Sequence, residues 1–281
     1  MSPTEIRSRF VDVGGVRTHY LEAGDARRTV VLLHSGEFGA SAELCWERNI
    51  PAFAEHFRVV APDWLGFGET DKLHDFVSKS DRMMRHMAAF LRVLAIDEAH
   101  FVGASMGATR LVTEAARPSP RLPITAMVLV SGGGFVPDNP DRRVLLDYDG
   151  TPAGMRAILR ACLNDPRWAE DEDYVARRVQ ASLRPGAWEA VAATRLKAPN
   201  LPPRSDFGQA DTIPYEDVTV PTLSFAGAKD RLREPGYHRA LGRIPGARVE
   251  VFDEAGHLLN IERAERFNRL AVDFLLGLER R

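Results

Sequence analysis

Ala99-His-Phe-Val-Gly-Ala-Ser-Met-Gly-Ala-Thr-Arg-Leu-Val-Thr-Glu-Ala-Ala116 passes from a short apolar run, through a serine bounded by glycines, into a helix-compatible segment. The order predicts a strand over Ala99–Gly103, a sharp turn at Ser105 and a helix from Ala108. G-x-S-x-G in that setting holds its serine in a strained backbone conformation. Small residues at 103 and 107 let strand and helix approach closely enough for the hydroxyl to project. Ser105 is therefore a candidate nucleophile. The backbone N–H of Met106, at the start of the new helix, is a candidate oxyanion donor.

A serine hydroxyl needs a base within hydrogen-bond reach and a carboxylate to fix that base's tautomer. Both have candidates downstream. Asp230 follows the apolar run Thr222–Ala226 through Gly227-Ala-Lys, at a strand end, where open α/β sheets keep their sites. His257 follows Ala247–Phe252 through Asp253-Glu-Ala-Gly, again a strand end before a helix, and has the best position of the eight histidines. His19 and His100 fall in strands, His56, His86 and His238 in helix-compatible segments and His74 in a loop; packing or surface roles are expected of them. His34 closes another apolar run.

Outward from these, Thr29–His34, Phe57–Ala61 and Ala126–Ser131 read as further strands, short and nearly uniformly apolar, as strands buried on both faces are. Arg7–Val13 and Val16–Ala23 flank Gly14-Gly15 and predict a hairpin at a half-exposed edge, making the sheet mixed. Asp81–Leu94 and Ala264–Leu278 carry helical periodicity, the first with Met84, Met87, Ala88 and Leu91 on one face. Strands alternating with helices predict a parallel sheet covered by helices. Between about Gly134 and Asp217 that rhythm breaks. The segment is rich in charge and proline, yet carries Trp168, Tyr174, Val175, Val179, Leu183 and Trp188 as anchors, so an inserted helical lid (134–217) in a core of 1–133 and 218–281 is expected.

The 281 residues suit one large α/β domain, 44% hydrophobic and 27% charged, and a formal charge of −2 gives no broad attraction to nucleic acid or an anionic membrane. No apolar run approaches the roughly 20 residues that span a bilayer, and the N-terminus has no signal-peptide stretch, so a cytoplasmic protein is expected. Cys45 and Cys162 have no zinc or C-x-x-C spacing, which points to free thiols, no metal and no cofactor. A small molecule is the expected partner.

With elbow, acid and histidine in place, the chain resembles the α/β-hydrolases over nearly its whole length. That resemblance implies a mostly parallel eight-stranded sheet flanked by helices, with a lid. The stretch Ala61-Pro-Asp-Trp-Leu-Gly-Phe-Gly-Glu-Thr-Asp-Lys72 is similar to the family's P-D-x-x-G-F-G-x-S-D-K, where Asp63 is expected to be structural. His34-Ser-Gly-Glu-Phe-Gly-Ala40 resembles the loop whose backbone supplies the second oxyanion amide, here assigned to Gly36.

The closest look is to the meta-cleavage-product hydrolases, which add water across a carbon–carbon bond in vinylogous 1,5-diketone acids. Gly39-Ala-Ser41 leading to Asn49-Ile-Pro51, the Gly66-Phe-Gly68 stretch, and Arg178-Val-Gln-Ala-Ser-Leu-Arg-Pro-Gly186 carry this likeness. It implies that Arg178 binds the acidic dienol end of the substrate and that a homodimer is possible. Departures fall where substrate would lie. Ala104 replaces an asparagine, Leu258 a tryptophan, and Glu37 a small or neutral residue, which removes polar contacts and adds a charge that repels a carboxylate unless it is screened or protonated. The scissile bond therefore stays open between carbon–carbon and an ester or lactone. A non-enzymatic small-ligand receptor on the same fold is the further alternative.

Overall fold

The computed structural model describes residues 5–196 and 207–278. One sheet of eight strands organises the chain, in the order β1-β2-β4-β3-β5-β6-β7-β8. The strands are β1 (Arg7–Asp12), β2 (Arg17–Ala23), β3 (Thr29–Leu33), β4 (Arg58–Pro62), β5 (Ala99–Ala104), β6 (Ile124–Val130), β7 (Thr222–Gly227) and β8 (Arg248–Phe252). From β4 to β8 all pairings are parallel, while β2 runs antiparallel to both β1 and β4. The hairpin forms as the sequence predicts: Gly14 and Gly15 both take positive φ, 62° and 83°, which a side chain would strain.

Eleven α-helices lie among the described residues: α1 (Ala42–Trp46), α2 (Ile50–Ala54), α3 (Lys79–Val93), α4 (Met106–Ala115), α5 (Pro140–Leu146), α6 (Pro152–Cys162), α7 (Arg167–Glu170), α8 (Glu172–Ser182), α9 (Ala187–Ala192), α10 (Leu259–Glu262) and α11 (Ala264–Leu278). Helix α3 buries Met84, Met87, Ala88 and Leu91 as its periodicity demands, and Met83 and Phe90 besides. The central strands β5, β6 and β7 are buried along nearly their whole length, so apolar residues fill both faces. Two apolar layers result, one holding Val30, Leu32, Val102 and Phe225, the other Val31, Leu33, Phe101 and Leu129.

Helices α5 to α9 form the lid, inserted between β6 and β7. Its helix starts are capped by side chains: Asn139, Thr151 and Asp171 accept from the amides of Arg142, Gly154 and Tyr174. Of the expected anchors, Tyr174 and Val175 are buried and Trp168, Val179 and Trp188 pack on the core. Leu183 is the exception at 52% exposed, because it is the C-cap of α8 and turns outward. Residues 197–206 of the expected lid lie outside the described residues.

Candidate active site

Ser105 closes β5 and caps α4, with φ 50° and ψ −109°, a left-handed backbone that a serine adopts only when its surroundings hold it there. Its N–H donates to the Val130 carbonyl at 2.7 Å and its carbonyl accepts from Thr109 N–H at 2.9 Å, fixing the turn from both sides. The flanking glycines are required by space. A Cβ on Gly107 would come within 2.2 Å of the Leu33 carbonyl oxygen, and one on Gly103 within 2.6 Å of the Ala108 nitrogen.

The Ser105 hydroxyl donates to His257 Nε2 at 2.7 Å, and His257 Nδ1–H donates to Asp230 Oδ2 at 2.8 Å. A carboxylate can only accept, so Asp230 sets the tautomer that leaves Nε2 free to take a proton. Burial lowers the His257 pKa from its ordinary 6.5, against the pull of Asp230 and with help from Arg142 and Arg233. Burial would raise the Asp230 pKa, yet His257, the Arg233 guanidinium and the Leu232 N–H outweigh it and hold the carboxyl below 3.8. The result at neutral pH is a neutral imidazole beside a carboxylate, the resting state of a general base.

The loop after β3 is locked beneath this centre. His34 Nδ1–H donates to the Ser35 carbonyl at 2.6 Å, and its Nε2 accepts the Trp64 N–H at 3.0 Å. Gly36 lies against Met106, since a Cβ there would meet the Met106 sulfur at 2.7 Å. The two expected oxyanion residues are thus neighbours beside Ser105. Asp63 anchors the next turn from within, accepting from His19 Nδ1–H, Ala42 N–H and Glu69 N–H, each at 2.7 Å. Gly68 must lack a side chain because a Cβ would overlap the Asp63 carboxylate at 2.0 Å.

With nucleophile, base and acid assembled at the carboxyl ends of β5, β7 and β8, comparison with known proteins is decisive. The Alpha/beta hydrolase family model matches residues 30–270. The chain belongs to the α/β-hydrolase family. Within it, the chain is 33% identical to a 2-hydroxy-6-oxo-6-(2'-aminophenyl)hexa-2,4-dienoic acid hydrolase of Metapseudomonas resinovorans, over 95% of this chain and 90% of that one. It is 31% identical to a 2-hydroxy-6-oxononadienedioate/2-hydroxy-6-oxononatrienedioate hydrolase of Paraburkholderia phymatum, over 95% of each. A solved meta-cleavage product hydrolase of Pseudomonas fluorescens superposes with a TM-score of 0.85 at 29% identity, covering 96% of this chain and 98% of that one. This α/β-hydrolase is a serine hydrolase of the meta-cleavage-product group.

On the substrate side, two of the expected residues meet each other. Arg178, expected at the acidic dienol end of the substrate, is buried, and its Nη2 donates to Glu37 Oε1 at 2.5 Å. Glu37, expected to repel a carboxylate unless screened, is this arginine's counter-ion. Burial would raise its pKa, but Arg178 outweighs that and holds the carboxyl below 4.5. Burial likewise works against the charge on Arg178, while Tyr174 and Glu37 hold its pKa above the ordinary value. Ala104 and Leu258 are both fully buried, one before the nucleophile and one after the histidine.

Sequence reasoning did not find the lid's grip on the histidine loop. The carbonyl of Cys162, at the end of α6, accepts from both His257 N–H (2.8 Å) and Leu258 N–H (3.1 Å). Glu262 accepts from Asp165 N–H at 2.7 Å and from Gly256 N–H at 2.6 Å, joining lid to loop a second time. Arg142 of α5 donates to the Leu232 carbonyl, and Arg233 to the Ser131 carbonyl, bracketing the Asp230 turn. None of these partners follows a periodic or motif spacing. Two surface clefts, one at Arg48, Arg167 and Trp168 and one at Ser41, Asp63 and Arg177, lie apart from Ser105 and His257.

Proposed function

We propose that this enzyme hydrolyses a carbon–carbon bond next to a ketone in a small vinylogous 1,5-diketone. The carrying observation is the continuous Ser105–His257–Asp230 hydrogen-bond chain in a protein whose relatives are named as dienoate hydrolases. Ser105, His257 and Asp230 are the catalytic residues of this reading. His257 takes the proton of Ser105, or of a water in its place, as the oxygen adds to the ketone carbon. The Gly36 and Met106 amides receive the oxyanion. When the tetrahedral carbon re-forms its carbonyl, the carbon–carbon electron pair passes into the conjugated second carbonyl as a dienolate. That carbanion takes the proton from His257; on the Ser105 route a water deprotonated by His257 then hydrolyses the acyl-serine to the carboxylic acid, and on the water route the acid is already formed. No oxidant or metal enters the balance.

Residues 134–217 serve as the lid over a core of 1–133 and 218–281 in this reading. A carboxylic ester or lactone is the second reading, favoured by the apolar Ala104 and Leu258 beside the site. The two buried free thiols, Cys45 and Cys162, support a reducing, cytoplasmic setting, and the family resemblance supports a homodimer; fractionation and light scattering check these.

The deciding experiment follows absorbance of a 2-hydroxy-6-oxo-2,4-dienoate, its analogue with methyl in place of the carboxylate, and a p-nitrophenyl ester. Each is given to wild-type and Ser105→Ala protein. Ser105-dependent loss of a vinylogous diketone chromophore, faster than ester cleavage, is expected. Dominant ester turnover would reject the carbon–carbon reading.

A further inference from the structure

Where the oxyanion loop meets the lid, a charge pair is sealed inside the protein. Glu37 directly follows Gly36, and its side chain is 4% exposed; that of Arg178, on α8, is 1% exposed. The contact is held by backbone as well as by charge, since a Cβ on Gly39 would come within 2.5 Å of the Arg178 carbonyl oxygen. Ser35 Oγ donates to Glu37 Oε1 at 3.0 Å, and Arg178 Nη1 donates to Tyr174 Oη at 3.3 Å. Both charges are therefore partnered within the chain. What is left over is one donor: Arg178 Nε is buried and makes no hydrogen bond.

We propose that the substrate is uncharged at the end facing Glu37 and Arg178, and that Glu37 is the residue that selects against a carboxylate there. The inference rests on Ser105 marking the reacting centre, as proposed above, and deepens that reading by naming a substrate class: a vinylogous diketone ending in a ketone, enol or amide. An incoming carboxylate would put a second anion on a guanidinium that already has one, away from water, where like charges repel most strongly. A carbonyl or hydroxyl oxygen meets no such repulsion and can accept the unused Nε–H. The apolar side chains of Ala104 and Leu258 offer no polar group to an acid either.

Binding tests this without turnover. Ser105→Ala protein is titrated calorimetrically with 2,4-hexadienamide and 2,4-hexadienoate, near-isosteres that differ in charge. The amide is expected to bind at least about tenfold tighter, and in Ser105→Ala/Glu37→Gln the order should reverse, because Arg178 then lacks its anion. Adding Arg178→Met to that pair removes both charges and should restore the preference for the amide.

The first comparison needs no change at Glu37, so it stands even where the buried variants fold poorly. Tighter binding of the acid when Glu37 is present, an unchanged order in folded Glu37→Gln protein, or binding of neither probe overturns the proposal. Turnover of the carboxylated and methyl-ended diketones is scored separately. Cleavage of neither, with the amide preference intact, would reject the reaction and leave the charge selection standing.

Discussion

At the scale of single residues, His257 decides when the site is ready. Its pKa lies below 6.5 because burial disfavours the imidazolium, while Asp230 stays ionised below that range. Activity should then be flat through pH 7 to 8 and fall only as His257 takes a proton, with a midpoint in kcat/KM below 6.5. A midpoint above 7 would mean that Asp230 dominates burial, and the site's electrostatics would need to be redrawn. Asp230→Asn removes the acceptor that fixes the tautomer and is expected to lower kcat by about 10³ to 10⁴ with the fold retained, read by steady-state kinetics and circular dichroism. Gly107→Ala tests the elbow: its Cβ would overlap the Leu33 carbonyl, so soluble yield and thermal midpoint should drop, not catalysis alone. These residues were legible in the sequence because each follows an apolar strand by a short, small-residue turn, which fixes its place at the sheet's rim. The Glu37–Arg178 pair was not, since its partners lie 141 residues apart and meet only through the packing of α8 on the loop.

At the scale of elements, the lid is joined to the catalytic machinery through backbone. The end of α6 holds the His257 loop through the Cys162 carbonyl, and Glu262 of α10 ties Asp165 to Gly256. Burial raises the Glu262 pKa above 4.5, against the hydrogen bonds that favour its anion, so the group is costly to bury and is kept for what it connects. Glu262→Ala would leave two partly or fully buried N–H groups without an acceptor and is expected to cost about 1–3 kcal/mol each where water cannot reach them. The sharper readout is amide hydrogen exchange at His257, Leu258 and Asp165, which should speed up together while β5 and β6 are unchanged. Unchanged exchange at those amides would show that the staple does not hold the loop. The strands were readable from apolar runs and the hairpin from Gly14-Gly15, whereas the lid was readable only as a break in rhythm. Its helices are short and begin at side-chain caps, and their apolar faces are divided between core and neighbouring lid helices, so no single period marks them.

Across the whole molecule, three buried histidines link stability to pH. His34, His86 and His257 all have their pKa lowered from 6.5 by burial, His86 to about 4. His34 cannot accept a second proton without turning an N–H toward the Trp64 N–H it now accepts from. His86 Nε2 is occupied by Thr18 Oγ1, and its Nδ1 is buried without a partner. In the unfolded chain each would protonate near 6.5, so below that value the unfolded state binds more protons and stability falls as pH falls. Each such histidine contributes about 1.4 kcal/mol per pH unit once its unfolded form is fully protonated and until its folded form also titrates. The carboxylates act in another window: Asp63 and Asp230 are held below 3.8, so the stability they add is present above that value and lost only under stronger acid. Glu262, raised above 4.5, works the other way and partly offsets the loss near that pH. The thermal midpoint should therefore be level from pH 8 to 7 and decline steadily from about 6.5 toward 4.5. His86→Gln, which keeps a polar partner for Thr18 but cannot titrate, should reduce the steepness of that decline by about a quarter, since the half-buried His74 is lowered in the same direction. A midpoint level down to pH 5 would show that these imidazoles are protonated in the folded state, and would reverse the assignment of His257 as a neutral base.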